Sequence, residues 1–409
     1  MLALRLVRGG HPVVLLRRLL VAAASGGVGF LLLCSLTYAL AHPGDPGASL
    51  PRLAWCAVPL AATAHFAVVV ARTDPATRPR TGLSAFGLGP GRLAALAAAS
   101  TAVAGALGSA LALLLFLHLR GDLTGLPFDG AAAGPLASGE PLPLGAALTL
   151  LALAPLTATA ATALALRGRP CGPEAATGPG TGPGPVPGPG SASGAGEGFG
   201  EVSAPVGTRP PGGLPWGCAL TTAGLAVGTY AARGGTAVAL PLPSGFDAHP
   251  AGVLVGWALT AVGLAVAGPA LTHFCGRLLQ AARPGAVRLL AGRILMEEAR
   301  RIGRPLGVVC AVASAVITAR TLYGTEAHPF GPLTGLGAGL VVACTTATLL
   351  TSAVEARQSR SDASRELRRL GAPANALRLA ALLRVLVLVA VLAPLTWAVA
   401  TLAAMPLIR

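Results

Sequence analysis

Apolar runs of about 20 residues recur along the chain and constrain its fold more than any other feature. A helix of roughly 20 residues is long enough to cross a hydrocarbon core about 30 Å thick. Only 11% of the 409 residues are charged, whereas about 25% is usual for a soluble domain. The mean hydropathy is +0.69. These values exclude an ordinary water-soluble globule and predict an all-α, polytopic transmembrane helical bundle.

The apolar runs predict nine spans. They cover residues 19–41, 53–71, 93–117, 144–166, 214–232, 251–273, 305–322, 336–354 and 379–404. Arginines surround an apolar stripe in residues 1–18 and again in 286–304, and each stretch is expected to form an amphipathic approach to the next span. A retained first helix is favoured over a cleaved signal peptide, because no small-residue cleavage site is convincing.

The arginines predict how the chain is oriented. All 30 basic residues are arginine, and 25 of them fall in the stretches that are cytoplasmic if the N-terminus is inside, against five in the outer stretches. Because a Lys/Arg excess marks cytoplasmic loops, we expect a multi-pass protein of the cell membrane with its C-terminus outside. The net charge of +15 does not predict nucleic-acid binding, since almost no aromatic residues interleave with the arginines.

Three landmarks indicate an internal duplication. Phe86-Gly87-Leu88 precedes Leu370-Gly371-Ala372 by 284 residues, Arg17-Arg18 precedes Arg300-Arg301 by 283, and Arg72 precedes Arg357 by 285. A repeat of this kind usually decides the fold. The alternative is that a chain rich in Ala, Leu and Arg aligns with itself by chance.

The duplication divides the chain into four parts. Residues 1–166 form a first repeat of four spans, and 167–213 form a Gly/Pro-rich cytoplasmic linker with too little apolar surface to fold. Residues 214–273 form two connecting spans. Residues 274–409 form a second repeat of three spans, which lacks a fourth.

The sequence contains little that suggests chemistry. Because lysine is absent, no GxxxxGK[ST] phosphate-binding loop can exist, and any ATP must be bound by another chain. No HExxH or GxSxG motif occurs, and the seven cysteines form no metal-ligand pattern. His65 is a lone imidazole within a predicted span. We predict no catalytic residue, no cofactor and no metal site, and we expect that the chain itself is not an enzyme.

One stretch resembles a known family. Arg365-Glu366-Leu367-Arg368-Arg369-Leu370-Gly371-Ala372, followed by a long apolar run, is similar to the signature of FtsX-like permeases of ABC transporters. Leu83 to Arg92 resembles a degenerate first copy, without the acidic residue and the double arginine. In that family the loop between the second and third helices of each repeat docks on the ATPase. The resemblance therefore implies six docking residues, Phe86, Gly87, Arg365, Glu366, Leu370 and Gly371.

The resemblance implies a permease subunit that couples ATP hydrolysis by a separate ATPase, expected to be a dimer, to export or other work outside the cytoplasm. The sparsely charged interior favours a lipophilic or amphipathic substrate over a sugar or an ion. Family members often carry a large outer domain after the first helix of a repeat, and at those places this chain has only the short stretches 42–52 and 323–335. An alternative is a signalling or scaffold protein that relays the state of the ATPase without transport. An ion-coupled carrier is disfavoured, because no paired carboxylates cross the membrane.

Overall fold

Within the residues that it describes, the computed structural model contains nine long helices and one pair of very short strands. The described residues are 12–44, 46–73, 90–122, 130, 132–134, 136, 138–167, 213–233, 239–240, 249–281, 285–323, 332–360, 365, 369 and 373–408. The helices are α1 (Pro12–Ala41), α2 (Pro46–Thr73), α3 (Pro90–Arg120), α4 (Leu144–Arg167), α5 (Leu214–Arg233), α6 (Ala251–Ala281), α7 (Ala286–Tyr323), α8 (Pro332–Ser359) and α9 (Ala374–Ile408). The strands β1 (Ala239–Leu240) and β2 (His249–Pro250) pair antiparallel between α5 and α6. The predicted all-helical class is confirmed for this part of the chain.

Eight of these nine helices are long and apolar enough to cross a membrane. The exception is α5, which has 20 residues but carries three threonines, Tyr230 and Arg233, and these lower its hydropathy. The described helices therefore show a multi-pass membrane protein with eight candidate spans. The ninth span stays a prediction.

Several helices extend beyond the predicted spans at the arginine-rich end of the bundle, which is the end predicted to be cytoplasmic. The sequence predicted an amphipathic approach over 286–304 and a separate span after it, whereas α7 runs through both as one helix of 38 residues with Pro305 inside it. Ala291 and Leu295 of this extension are buried with Leu279 of α6 and Ala380 of α9. This apolar packing continues the helix beyond the predicted span, so α6 and α7 form one long antiparallel hairpin.

In the first half of the chain, α1 is the central helix, in contact with α2, α3, α4 and α8. The parallel helices α1 and α3 are closest at Gly108, where an added Cβ atom would overlap the carbonyl oxygen of Ala22. The Ser25 hydroxyl donates to the carbonyl oxygen of Gly105 over 3.0 Å. Small residues at such crossings let the backbones of membrane helices touch.

In the second half, α6 packs antiparallel against α5 on one side and α7 on the other. Glycines form both interfaces. Close pairs are Gly217 with Ala267, Gly224 with Gly256 and Gly252 with Ala231 for α5 and α6, and Gly268 with Gly303 and Gly276 with Gly292 for α6 and α7. The helices α8 and α9 both pack on α7.

The two halves meet through α2 and α8. The indole nitrogen of Trp55 lies 3.0 Å from where a Cβ atom at Gly337 would be. Farther along both helices, Thr63 Oγ1 lies 3.8 Å from Cys344 Sγ. Because the contacts follow the same order in both helices, α2 and α8 are parallel. Their last residues, Thr73 and Ser359, therefore lie at the same end of the bundle.

Candidate functional site

The six predicted docking residues fall in the connections 74–89 and 361–372, which we call the predicted docking loops and which begin at the same end of the bundle, after α2 and α8. The first follows α2 and precedes α3, and the second follows α8 and precedes α9. Of the six predicted docking residues, Phe86, Gly87, Glu366, Leu370 and Gly371 lie outside the described residues. Arg365 is described, and its side chain is exposed. The described part of this candidate site therefore consists of the helix ends that hold the two loops.

A buried arginine fastens the end of α2 to α1. Arg17 is 7% exposed, and its Nη1 donates to Thr73 Oγ1 over 3.1 Å. The Thr73 hydroxyl in turn donates to the carbonyl oxygen of Val70 over 2.9 Å. Arg17 Nη2 is also buried and has no hydrogen-bond partner among the described residues. We call the contact between Arg17 and Thr73 the first clasp.

An ion pair fastens the end of α8 to α7. Arg360 Nε lies 2.5 Å from Glu298 Oε1, and Arg360 Nη2 donates to Glu298 Oε2 over 2.6 Å. Arg360 Nε also donates to the carbonyl oxygen of Ala356, one turn back in α8. The contact thus combines one hydrogen bond between two charged groups with a close ion pair, and hydrogen bonds between charged groups are stronger than those between neutral groups. We call the contact between Glu298 and Arg360 the second clasp.

The two clasps occupy corresponding places. In each predicted repeat, a polar contact joins the first helix, α1 or α7, to the end of the second helix, α2 or α8, immediately before the predicted docking loop. A loop that moved would therefore pull directly on α1 through the first clasp and on α7 through the second.

Sequence reasoning did not identify either clasp. The available signal was Glu298 itself, an acidic residue within the arginine-rich run 288–304, where a carboxylate is expected to pair with an arginine.

The extension of α7 presents a strongly basic surface beside the second clasp. Its buried face is apolar, with Ala291, Leu295 and Ala299. Its exposed charged residues are Arg288, Arg293, Glu297, Arg300, Arg301 and Arg304. This segment is the amphipathic approach of the sequence analysis, now part of one continuous helix.

The opposite end of the bundle is held by contacts of its own. Arg52 at the start of α2 lies over the ring of Tyr38 in α1, with its guanidinium carbon 3.3 Å from the ring centroid. Buried Arg120 at the end of α3 donates to the carbonyl oxygen of Glu140. Part of the connection between α3 and α4 therefore folds back on the helices.

The remaining candidates for chemistry are few. His65 is exposed on α2. In the part of the chain that the structure describes, no group of three His, Cys, Asp or Glu side chains could hold a metal ion. Comparison with known proteins finds no matching family model, no matching curated protein and no matching solved structure.

Proposed function

We propose that this chain is the membrane-spanning permease subunit of an ABC transporter of the FtsX-like type. Its two cytoplasmic loops, 74–89 and 361–372, would dock on a separate ATPase dimer, so that one permease chain serves both ATPase subunits. The observation that carries the proposal is the pair of clasps, because each fastens the helix end that leads into a predicted docking loop to the first helix of its predicted repeat.

The helix boundaries support the duplication on which this proposal depends. The first residues of α3 and α9, Pro90 and Ala374, are 284 positions apart, and α2 and α8 both have 28 residues. The packing repeats as well, because α1 contacts α2 and α3 as α7 contacts α8 and α9.

Contacts between the first and third helices also correspond in the two predicted repeats, because they join residues with the same separation in sequence. Gly26 of α1 meets Gly108 of α3, which is 82 positions later. In the second half, Thr318 of α7 donates to the carbonyl oxygen of Ala400 of α9, also 82 positions later. The parallel first and third helices of the two predicted repeats therefore pack with a similar stagger.

We further propose that α5 is the ninth span. It packs antiparallel along α6, which is a candidate span, over most of its own length. Trp216 and Tyr230 are both strongly exposed, and their spacing of 14 residues places them on one face about 21 Å apart. Trp and Tyr at the two ends of a helix are typical of anchoring in the two membrane interfaces. Nine spans also keep the arginine-rich ends on the cytoplasmic side, with the N-terminus inside and the C-terminus outside.

The proposed mechanism is conformational coupling. When the ATPase dimer closes on nucleotide, it would displace both docking loops, and the clasps would transmit this displacement to α1 and α7. The helix α1 is fastened to α3 by the Ser25 bond, and α7 is packed tightly on α6 through glycines. Through these rigid contacts, the movement of α1 and α7 would reach the outer end of the bundle and act there on a lipophilic or amphipathic substrate. Coupling of this kind requires an element with two discrete arrangements.

The proposed topology predicts the side on which single cysteines react. In a variant without the seven native cysteines, Ser244→Cys between α5 and α6 should react with a membrane-impermeant maleimide in intact cells. Ser191→Cys in the linker and Ser361→Cys in the second loop should react only after permeabilisation. Ser138→Cys in the connection between α3 and α4 is the outer control. If Ser244→Cys, like Ser191→Cys, reacts only after permeabilisation, α5 does not cross the membrane.

Co-purification tests the proposed function. The tagged chain would be purified in mild detergent with candidate ATPases encoded by neighbouring genes. One of them should co-purify with the wild-type chain and be lost with Leu370→Asp plus Gly371→Asp, which puts charge into the proposed docking surface. The matched control is Gly134→Asp plus Gly139→Asp at the opposite end, where an added side chain meets nothing within 4 Å. The proposal fails if no ATPase co-purifies with the wild-type chain, or if the ATPase co-purifies equally well with both double variants.

A further inference from the structure

Two exposed arginines from different predicted repeats lie at the same depth of the bundle. Arg72 is the last residue but one of α2, and Arg304 lies in α7, next to Pro305. Both directly flank predicted spans, since Arg72 follows 53–71 and Arg304 precedes 305–322. They are therefore expected where a helix leaves the hydrocarbon core and enters the layer of lipid headgroups.

The register of α8 against its two neighbours gives the same placement. Thr63 of α2 meets Cys344 of α8, and because these helices are parallel, Arg72 is level with position 353 of α8. The second clasp joins the start of α7 to the end of α8, and these two helices are antiparallel. Arg304, six positions after the glutamate of that clasp, is therefore level with position 354 of α8.

The two arginines also flank an imidazole. His65 is exposed on α2, on the same face as Arg72, because a separation of seven positions is two helical turns. Arg72 and Arg304 are both close enough to act electrostatically on the His65 ring. The helices α2 and α7 make little contact with each other, whereas α8 packs on both. The three side chains thus border a groove between α2 and α7, which we call the α2–α7 groove.

The groove has an excess of positive charge. In the part of the chain that the structure describes, neither Arg72 nor Arg304 forms a hydrogen bond or an ion pair. Glu355 of α8 is at the same depth, but it pairs with neither of them. Guanidinium groups that approach one imidazole without a counterion repel each other, and this repulsion is stronger beside a hydrocarbon core than in water. The groove is therefore suited to an anion.

Apolar surface continues from the groove toward the outer end. Val58 and Ala61 are exposed, and helical spacing places them on the face of α2 that carries His65 and Arg72. This stripe runs along the helix, as the acyl chains of a bilayer do. The groove thus combines cations at the depth of the headgroups with an apolar wall in the hydrocarbon core.

We propose that the α2–α7 groove binds an anionic lipid of the cytoplasmic leaflet. Arg72 and Arg304 donate to its phosphate oxygens, and an acyl chain lies along the exposed stripe of α2. Basic pockets between membrane helices on the cytoplasmic side are typical sites for such headgroups. The lipid would join α2 of the first predicted repeat to α7 of the second. The inference rests on the proposed orientation of the spans and does not depend on ATPase docking.

The depth of the groove favours a lipid over a soluble anion. A free phosphate compound or an acidic protein segment would have to leave water for the edge of the hydrocarbon core, which is costly for a charged group. A lipid phosphate is already held at this depth by its own acyl chains.

Lipid binding to the purified full chain tests the proposal. The chain would be delipidated in detergent and titrated with phosphatidylglycerol or phosphatidylcholine of identical acyl chains, and bound lipid would be measured by native mass spectrometry. The wild-type chain should prefer phosphatidylglycerol. Arg72→Gln plus Arg304→Gln should bind it about 30-fold more weakly, because each arginine beside an anionic lipid contributes a factor of about five.

The matched control is Arg167→Gln plus Arg378→Gln. It removes the same charge from two exposed arginines at this end of α4 and α9, and it should bind phosphatidylglycerol as the wild type does. Equal loss in both double variants, or equal binding of the two lipids by the wild type, overturns the proposal. Displacement of the lipid by an equal concentration of glycerol phosphate also overturns it and assigns the groove to soluble phosphate compounds.

Thermal unfolding in detergent separates lipid binding from folding. Without lipid, the wild type and both double variants should have nearly the same apparent Tm, because all four arginines are exposed. A ligand that binds the folded state raises the Tm, so phosphatidylglycerol should stabilise the wild type and the control but not Arg72→Gln plus Arg304→Gln. A rise of the same size in all three would contradict the α2–α7 groove as the binding site.

Discussion

Replacement of Glu298 by alanine is expected to destabilise the arginine-rich end of the bundle. The Glu298 side chain is 12% exposed and its partner Arg360 is 30% exposed. Removing one partner of a buried ion pair leaves the other charge uncompensated and costs about 3–5 kcal/mol. Because Arg360 can turn partly toward water, we expect about 3 kcal/mol, the lower end of that range.

The expected result can be measured as the apparent Tm of the purified chain in detergent. The matched control is Glu297→Ala, since Glu297 is the adjacent residue and its side chain is exposed. Glu298→Ala should lower the Tm clearly, and Glu297→Ala should leave it nearly unchanged. If the second clasp transmits movement, Glu298→Ala should also reduce transport-coupled ATP hydrolysis while the ATPase still binds. Equal effects of the two variants would contradict the role of the second clasp.

The second large effect is expected from Gly108→Ala in α3. A Cβ atom at this position would overlap the carbonyl oxygen of Ala22, which is backbone and cannot turn aside, so α1 and α3 must separate. Overpacking of this kind costs about 1–3 kcal/mol. The gain in helix propensity from Gly to Ala, about 1 kcal/mol, offsets only part of this cost. Separation would also break the hydrogen bond between Ser25 and Gly105.

Gly145→Ala is the matched control for this variant. Gly145 lies near the start of α4, and a Cβ atom there meets nothing within 4 Å. It adds the same methyl group, so it should be neutral or slightly stabilising. A lower yield of monodisperse protein and a lower Tm for Gly108→Ala alone would support the close packing of α1 and α3. Equal behaviour of the two variants would show that these helices are farther apart.

The sequence was sufficient to predict the helical class and the location of each long helix that the structure describes. Apolar length alone determines a span, because unsatisfied backbone groups are too costly in lipid. Helix ends were harder to predict, as α7 shows. Its residues 286–304 carry many arginines, so hydropathy ends the span there, whereas the packing of Ala291 and Leu295 against α6 and α9 continues the helix.

The candidate site was predicted only in part. The positions of the two loops follow from the order of the helices, and Arg365 is exposed as docking requires. The clasps could not be predicted, because they join residues 56 and 62 positions apart and depend on how the helices pack.

Crosslinking from each loop would show whether one chain contacts an ATPase through both loops, as we propose. A photo-crosslinking amino acid would be placed at Phe86 in one sample and at Arg365 in another, and both would be irradiated in membranes that contain the ATPase. We predict that each position gives an adduct with the same ATPase. An adduct from only one loop, or from neither, would contradict docking through both loops.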